Sequence, residues 1–316
     1  MDQPIPGSKP NPRALFLSAH ARYAAYTAER CGYVFSSLDG ADGYCFEVRN
    51  GARAALFAAG AGSPYALNDV RAASIARDKA FCALALQRAG VSVVPGRLFF
   101  TCARWVEMRS PGREPEDARA FARGADYPMF CKPISASNGL FAELIGSADG
   151  FMRYLERVSV QHFAVLAQPY IRAPEYRVFV LNGEPLFSYQ KRLPQVVGDG
   201  ARTVAELARA AGRVDIDDAR VLGSGECLDL EGAANRATGG GASDLADGAP
   251  ERLAGVALAA VAALGLRLAA VDLFDRPEGA QVIEVNSNPM IATLEDFQRW
   301  DLIEAIWRAN FGAALR

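Results

Sequence analysis

Three groups of side chains in this 316-residue chain have the types and spacing to do chemistry. The first is Asp272 with Glu284 and Asn286. In Ile283-Glu284-Val285-Asn286, strand alternation puts Glu284 and Asn286 on one face and Ile283 and Val285 on the other. Asp272 sits in the preceding apolar run, Val271-Asp272-Leu273. Two carboxylates and an amide oxygen converging on one face make an all-oxygen site for a hard cation. Mg²⁺ suits such a site, with water or substrate phosphates completing its shell. Taken alone, the same pattern also fits the solvated polar face of a surface hairpin.

The second group is Lys132, at the end of Tyr127-Pro128-Met129-Phe130-Cys131-Lys132-Pro133, followed by the small-residue loop Ser135-Ala136-Ser137-Asn138-Gly139. Exposed backbone N–H groups in such a loop can cradle phosphate, and the lysine adds a point charge. A surface lysine before an ordinary turn is the alternative. The third is Ala167-Gln168-Pro169-Tyr170-Ile171-Arg172-Ala173-Pro174-Glu175. An extended, proline-containing hinge offers backbone C=O and N–H groups to an adenine edge, and a carboxylate close by can take a ribose hydroxyl pair. A plain interdomain linker has the same composition.

The elements that must position these groups are legible around them. Strands over 268–274 and 281–286 flank the turn 275–280. Strands over 176–181 and 185–191 flank Asn182-Gly183-Glu184, a hairpin signal. Thr203 with Glu206 forms a capping box for a helix over 203–211, a helix over 250–264 stops at Gly265, and 235–244 reads as a glycine-rich loop. A smaller unit reads as a strand over 97–101, a helix over 114–123, strands over 127–133 and 141–145, a helix over 148–158 and a strand over 163–168. Ahead of it, Asp78 caps a helix over 79–89 whose apolar side is Phe81, Leu84 and Ala85, ended by Gly90. Cys45–Arg49 followed by Asn50-Gly51 reads as a strand entering a hairpin turn. Residues 299–310 form a closing amphipathic helix, and the Pro-rich residues 1–12 a flexible leader.

Composition narrows the function further. Lys and Arg total 34 against 36 Asp and Glu, a formal charge of −2, which offers no broad footprint for nucleic acid or an anionic membrane. Hydrophobic content of 51% with 22% charged residues suits a globular chain with a sizeable core. The two histidines, His20 and His162, lie in no motif and read as packed or surface residues, so a histidine-rich zinc site or a Ser-His-Asp hydrolase is disfavoured. The six cysteines form no C-x-x-C pair, which predicts reduced thiols and a cytoplasmic location. The longest apolar run, Val256–Leu264, falls well short of the ~20 residues that span a bilayer.

Together, in this order and spacing, the elements resemble the ATP-grasp superfamily of carboxylate–amine ligases. The resemblance covers roughly residues 65–295 and rests on Asp78-Lys79, Phe130-Cys131-Lys132-Pro133, the hinge with Glu175, and Asp272 with Glu284-Val285-Asn286. A narrower likeness follows. Lys191-Arg192-Leu193-Pro194-Gln195-Val196-Val197-Gly198-Asp199-Gly200, continuing to Thr203-Val204-Ala205-Glu206-Leu207, is similar to a run in cyanophycin synthetases and in the ATP-grasp half of bifunctional glutathione synthetases. The spacer before the paired valines is one residue shorter here. Asn235-Arg236-Ala237-Thr238-Gly239-Gly240-Gly241-Ala242-Ser243-Asp244 resembles their Asn-and-GG loop, which ribosomal-protein glutamyl ligases also carry in related form.

The resemblance implies an α+β chain with the ATP-grasp fold. After the leader (1–12) would come an N-terminal α/β region with a linking helix (13–95), a small lid subdomain (96–167) and a larger subdomain (168–316) with the metal site. ATP would lie between the last two. Lys79 and Lys132 would contact phosphates, with Ser135, Ser137, Asn138 and Gly139 in the phosphate loop. Gln168, Pro169, Tyr170 and Ile171 would hold adenine, through the Pro169 carbonyl and the Ile171 amide, and Glu175 would hold ribose. Asp272, Glu284 and Asn286 would bind two Mg²⁺, with Mn²⁺ an alternative. Arg192, Asn235 and Arg236 would serve catalysis: Arg192 and Asn235 would face the acyl phosphate or the ADP product, and Arg192 or Arg236 would supply the positive charge. The implied activity is amide-bond formation between a small-molecule carboxylate and an amine, an amino acid or small peptide, with release of ADP and phosphate. A carboxylate kinase, a ligase with another acceptor and a non-catalytic ATP-binding module remain open. Relatives are often dimers, so a homodimer is open too, while nucleic acid and membrane are not expected partners. Three departures stand out: Gln168 where the family usually has Glu, one glycine in the phosphate loop, and Ala270 where D-alanine ligases carry arginine.

Overall fold

The computed structural model describes residues 16–60, 62–136, 139–211, 216–230 and 240–316. At the N-terminal side, helix α1 (Ala19–Cys31) starts at Ser18, whose hydroxyl accepts from the Ala21 N–H, and ends at Gly32 in the left-handed conformation. Strands β1 (Val34–Ser37), β2 (Cys45–Asn50) and β3 (Arg53–Ala58) form an antiparallel sheet, with the Asn50-Gly51 turn where the sequence predicts it. Helices α2 (Val70–Arg77) and α3 (Lys79–Arg88) follow, each capped by an aspartate side chain, Asp69 and Asp78.

A second sheet contains β4 (Arg97–Phe100), β5 (Met129–Pro133), β6 (Glu143–Ile145) and β7 (Ala164–Pro169) in the order β4-β7-β5-β6, with helices α4 (Pro115–Gly124) and α5 (Ala148–Val158) between strands. α5 buries Phe151, Tyr154, Leu155 and Val158, an apolar stripe at helical spacing. These residues pack with Phe99, Met129, Cys131, Val165 and Ala167 on one face of the sheet. By alternation the other face carries Leu98, Phe130, Lys132, Leu166 and Gln168.

The third sheet positions the remaining site residues. Its strands are β8 (Glu175–Leu181), β9 (Glu184–Arg192), β12 (Gly241–Asp247), β13 (Leu268–Phe274) and β14 (Gln281–Asn286), in the antiparallel order β12-β9-β8-β13-β14. Between β9 and β12 lie β10 (Gln195–Val197), α6 (Val204–Ala210) and β11 (Cys227–Asp229). This excursion has a core of its own, from Val196, Val204, Leu207, Ala208, Leu222 and Leu230. Its two ends meet, because Arg192 of β9 pairs directly with Gly241 of β12. Helix α7 (Glu251–Leu264) covers one face of the large sheet through Leu253, Ala257, Ala260 and Val261 against Val178, Val180, Val271 and Val285. α8 (Ala292–Asp296) leads into α9 (Trp300–Ala314), which packs with α1 on the opposite face. There Trp307, Tyr23, Phe46, Phe179 and Phe187 are fully buried in a shared core.

Three sequence expectations need correction. α3 buries Cys82 and Leu86, whereas Phe81 and Leu84 are exposed, because the helix is apolar on several sides and its neighbours α7 and β14 select the packed one. Residues 241–244 belong to a strand, not a loop, since Gly241, Ala242 and Ser243 pair with β9, with Asp244 opening an irregularity in the ladder. Helices α1 and α2 add to the 13–95 region, where the helix over 79–89 is the one helix that the sequence predicts. The Asn235–Gly239 part of the glycine-rich stretch lies outside the described residues.

Candidate functional site

Strand register assembles the acidic face. Asp272 pairs directly with Glu284 on β14 and with Arg177 on β8, and Arg177 pairs with Tyr189 on β9. Cross-strand partners share a face, so Glu284, Asp272 and Arg177 form one row, and Asn286 joins it one pleat along β14. Glu175 and Lys191, themselves a cross-strand pair, flank the row on the other side. The ladder shifts beside Asp272: Leu273 pairs with Val282, leaving Ile283 as the extra residue of a bulge. Ile283 then lines a narrow pocket with Glu284, Lys79, Val94, Leu166 and Gln168.

The row is densely paired. The Arg177 guanidinium grips Asp272 with two hydrogen bonds, Nε to Oδ1 at 2.6 Å and Nη2 to Oδ2 at 2.8 Å. Lys191 Nζ donates to Asp272 Oδ2 at 3.2 Å and also to Glu175 Oε1. Glu284 accepts from Asn286 Nδ2 at 3.2 Å through Oε1 and faces Lys79 Nζ at 3.4 Å through Oε2. The same lysine donates to the Ala136 carbonyl at 3.0 Å, and its backbone N–H to the Ile134 carbonyl, so it joins the start of the small-residue loop to the acidic row. Lys132, on the inner face of the smaller sheet, is 5% exposed; among the described residues no hydrogen bond or ion pair holds its ammonium.

Burial alone would raise both Asp272 and Glu284. Arg177 and Lys191 around the first, and Lys79 and Lys132 around the second, outweigh it and hold both carboxyls below the usual carboxylate range. Burial lowers Lys132, whereas Asp272 and Glu175 overcome the same penalty at Lys191 and raise it. Four cations, Lys79, Lys132, Arg177 and Lys191, thus surround three carboxylates, Glu175, Asp272 and Glu284. That excess of positive charge favours a polyanion. The donor set fits Mg²⁺ in kind: Asp272 and Glu284 supply carboxylate oxygens, and Asn286, whose NH₂ is spent on Glu284, keeps its Oδ1.

Gln168 is buried, and its Nε2 donates to the Val94 carbonyl at 3.2 Å, which leaves the side-chain oxygen as the free acceptor end. Pro169, Tyr170 and Ile171 follow at the end of β7, with Arg172 stacked 5.7 Å from the Tyr170 ring. Ser135 is exposed and Gly139 has a φ of +71°, as a tight loop requires. Arg192 is exposed at the end of β9, and alternation turns it away from the face of Lys191. Ser137, Asn138, Asn235 and Arg236 lie outside the described residues. Sequence reasoning missed Arg177 and Lys191. The available signal was the period of two from Glu175 to Arg177, together with the hairpin that returns Lys191 to Glu175. Both histidines pack against aromatic rings, His20 against Tyr65 and Trp307, and His162 against Phe141. All six cysteines are free, and among the described residues no helix is long and apolar enough to cross a membrane.

No protein-family model matches the chain. Over 213 residues it is 28% identical to the glutathione biosynthesis bifunctional protein GshAB of Mannheimia succiniciproducens, covering 53% of this chain and 28% of that protein. The GshAB of Streptococcus mutans is 24% identical over 188 residues, covering 50% and 25%. Among solved structures, a bifunctional glutathione synthetase from Pasteurella multocida superposes with a TM-score of 0.52 at 20% identity, covering 94% of this chain and 46% of the other. The D-alanine–D-alanine ligase of Bacillus anthracis superposes with a TM-score of 0.50 at 16% identity, covering 77% and 69%. The chain therefore spans about a quarter of the length of these two curated relatives.

Proposed function

We propose that this chain, whose fold is that of the ATP-grasp ligases, is an ATP- and Mg²⁺-dependent ligase that joins a carboxylate to an amine. The observation that carries the reading is the paired row Glu284–Asp272–Arg177, flanked by Lys79, Lys132, Lys191 and Glu175 where the two sheets face one another. Anionic oxygens for a cation and lysines for phosphates stand side by side there, which a structural salt-bridge network does not require.

In this reading the nucleotide lies between the smaller and the larger sheet. Lys132 and Lys79 hold its phosphates, Lys132 most strongly because its buried ammonium lacks a partner among the described residues. The Gln168 oxygen and the backbone of Pro169 and Ile171 take the adenine edge, and the bond from Gln168 to Val94 fixes which end of the amide faces it. Glu175, which Lys191 holds in the nucleotide-free chain, takes ribose hydroxyls. Asp272, Glu284 and Asn286 would hold the metal, which when bound would neutralise phosphate charge.

The substrate carboxylate oxygen attacks the γ-phosphorus. The bond from that phosphorus to the ADP oxygen breaks, leaving an acyl phosphate and ADP. The amine nitrogen then attacks the acyl carbon, phosphate departs and the nitrogen loses a proton. Arg177 and the lysines contribute positioning and charge stabilisation, and no side-chain nucleophile is needed. The carboxylate and amine are read as amino acids or small peptides on the strength of the glutathione-type relatives. A matrix of such acids and amines, scored by phosphate release and product mass, tests the reading. The expected result is ADP formation that depends on both partners and a product equal to their sum less one water. Absence of ADP formation with every pair tried, in protein shown to be folded, overturns it.

A further inference from the structure

The carboxylates at the centre of the site already carry counter-ions. Both Asp272 oxygens accept from Arg177, one of them from Lys191 as well, and the residue is 1% exposed. Both Glu284 oxygens are taken, one by Asn286 and one by Lys79. Glu175 is held by Lys191. We infer that Arg177, Lys191 and Lys79 act as resident counter-ions that bar a bare divalent cation from the site until nucleotide phosphates draw the two lysines away, so that the metal is taken up only with nucleotide.

The argument is electrostatic and steric, and it rests on the reading of Asp272 and Glu284 as metal ligands. An incoming dication must displace an ammonium from each carboxylate while four cations surround three anions. At contact distances in a partly buried site, each like-charge pair costs a substantial fraction of the Coulomb energy that the carboxylate offers. Mg²⁺ sheds water reluctantly and binds through one or two carboxylates plus phosphates, so two already paired carboxylates are a poor site without the phosphates. A polyphosphate changes the balance. It offers the lysines a better partner, and lysine suits the exchange because its compact charge rides on a flexible stem. Arg177 differs: its planar fork is matched to Asp272 by two bonds, so it stays in place and keeps Asp272 oriented.

The test uses Mn²⁺ as the probe, with free and bound ion read by electron paramagnetic resonance on the intact chain. Wild-type protein is expected to take up no Mn²⁺ at low-millimolar concentration, and to take it up when a non-hydrolysable ATP analogue is added. Lys191→Gln and, independently, Lys79→Gln are expected to tighten nucleotide-free Mn²⁺ binding by about tenfold or more, whereas Lys191→Arg stays closed. Wild-type protein that binds Mn²⁺ alone as tightly as it does with the analogue overturns the inference and leaves the proposed function standing. So does nucleotide-free binding that neither glutamine variant improves. Failure to bind Mn²⁺ even with the analogue overturns the metal-site assignment itself.

Discussion

One face of the large sheet carries two unlike halves. The row Asp272–Arg177 is charged; the row Ala270–Phe179–Phe187, two residues further along the same strands, is apolar and fully buried. Phe179 and Phe187 stack at 4.9 Å beneath the aromatic cluster that α1 and α9 bring to the sheet. Tyr189 marks the border, paired with Arg177 yet packed against Phe187. What differs is the cover. The N-terminal region and α9 lie over one half and exclude water, while the other half is left facing the smaller sheet. A single strand thus carries both apolar core and charge with the same alternation, and the covering elements decide which part is closed from water.

Disrupting the covered half has the largest expected effect. Trp307 is fully buried, and Trp307→Ala should cost about 3–5 kcal/mol in denaturant unfolding while leaving nucleotide affinity of the molecules still folded unchanged. Glu284→Gln tests the other half. It should retain the fold and lose about two to three orders of magnitude in turnover, measured by phosphate release at saturating Mg²⁺. Near-wild-type turnover would show that the open half does not hold the metal.

The covered half should also respond to acid. Burial pushes His20 down from 6.5 to about 4, so between those values the unfolded chain binds a proton that the folded one refuses. This contribution leaves stability undiminished above pH 6.5 and lowers it progressively toward pH 4, by on the order of 3 kcal/mol in all. Unfolding curves of wild type and His20→Leu should diverge with that slope; parallel curves would place the acid sensitivity elsewhere. The smallest effect belongs to the excursion, away from both halves. A Cβ on Gly198 would sit 2.2 Å from the Gly223 carbonyl oxygen, so Gly198→Ala should destabilise that small core by about 1–3 kcal/mol. Hydrogen exchange should rise within 195–230 and stay unchanged in β13 and β14.

The two halves were not equally legible. Asp272, Glu284 and Asn286 stand out because polar residues interrupt otherwise apolar strands, and period two fixes their shared face. Capping is legible for the same reason: Asp78 and the Thr203–Glu206 box are local chemistry, and the helices begin where they say. Arg177 and Lys191 are harder, since their role comes from a hairpin register that adds a bulge between Phe179 and Val180. The exposed Phe81 and Leu84 were misread because a helix apolar on several sides does not state which neighbour it will meet. Helix α1 escaped notice for a related reason: its alanines, tyrosines and charges give a modest periodicity, and its burial is supplied by α9 and β1. β12 depends wholly on a partner strand far away in sequence.

The pairing of Arg192 with Gly241 carries a consequence for how such a chain can change over generations. A stretch that leaves and re-enters a sheet at hydrogen-bonded neighbours can be lengthened, shortened or traded by recombination without shifting any strand beside it. Loop closure grows only slowly with length, at about 0.6 kcal/mol per doubling, so such exchanges meet little thermodynamic resistance. Among the described residues, the segment between them packs Val196, Val204, Leu207, Ala208, Leu222 and Leu230 into a cluster of its own. Selection can therefore rework this stretch, next to the end of the strand that carries Lys191, while the charged row Glu284–Asp272–Arg177 stays fixed. Grafting the corresponding stretch from a relative would be the laboratory form of the same event.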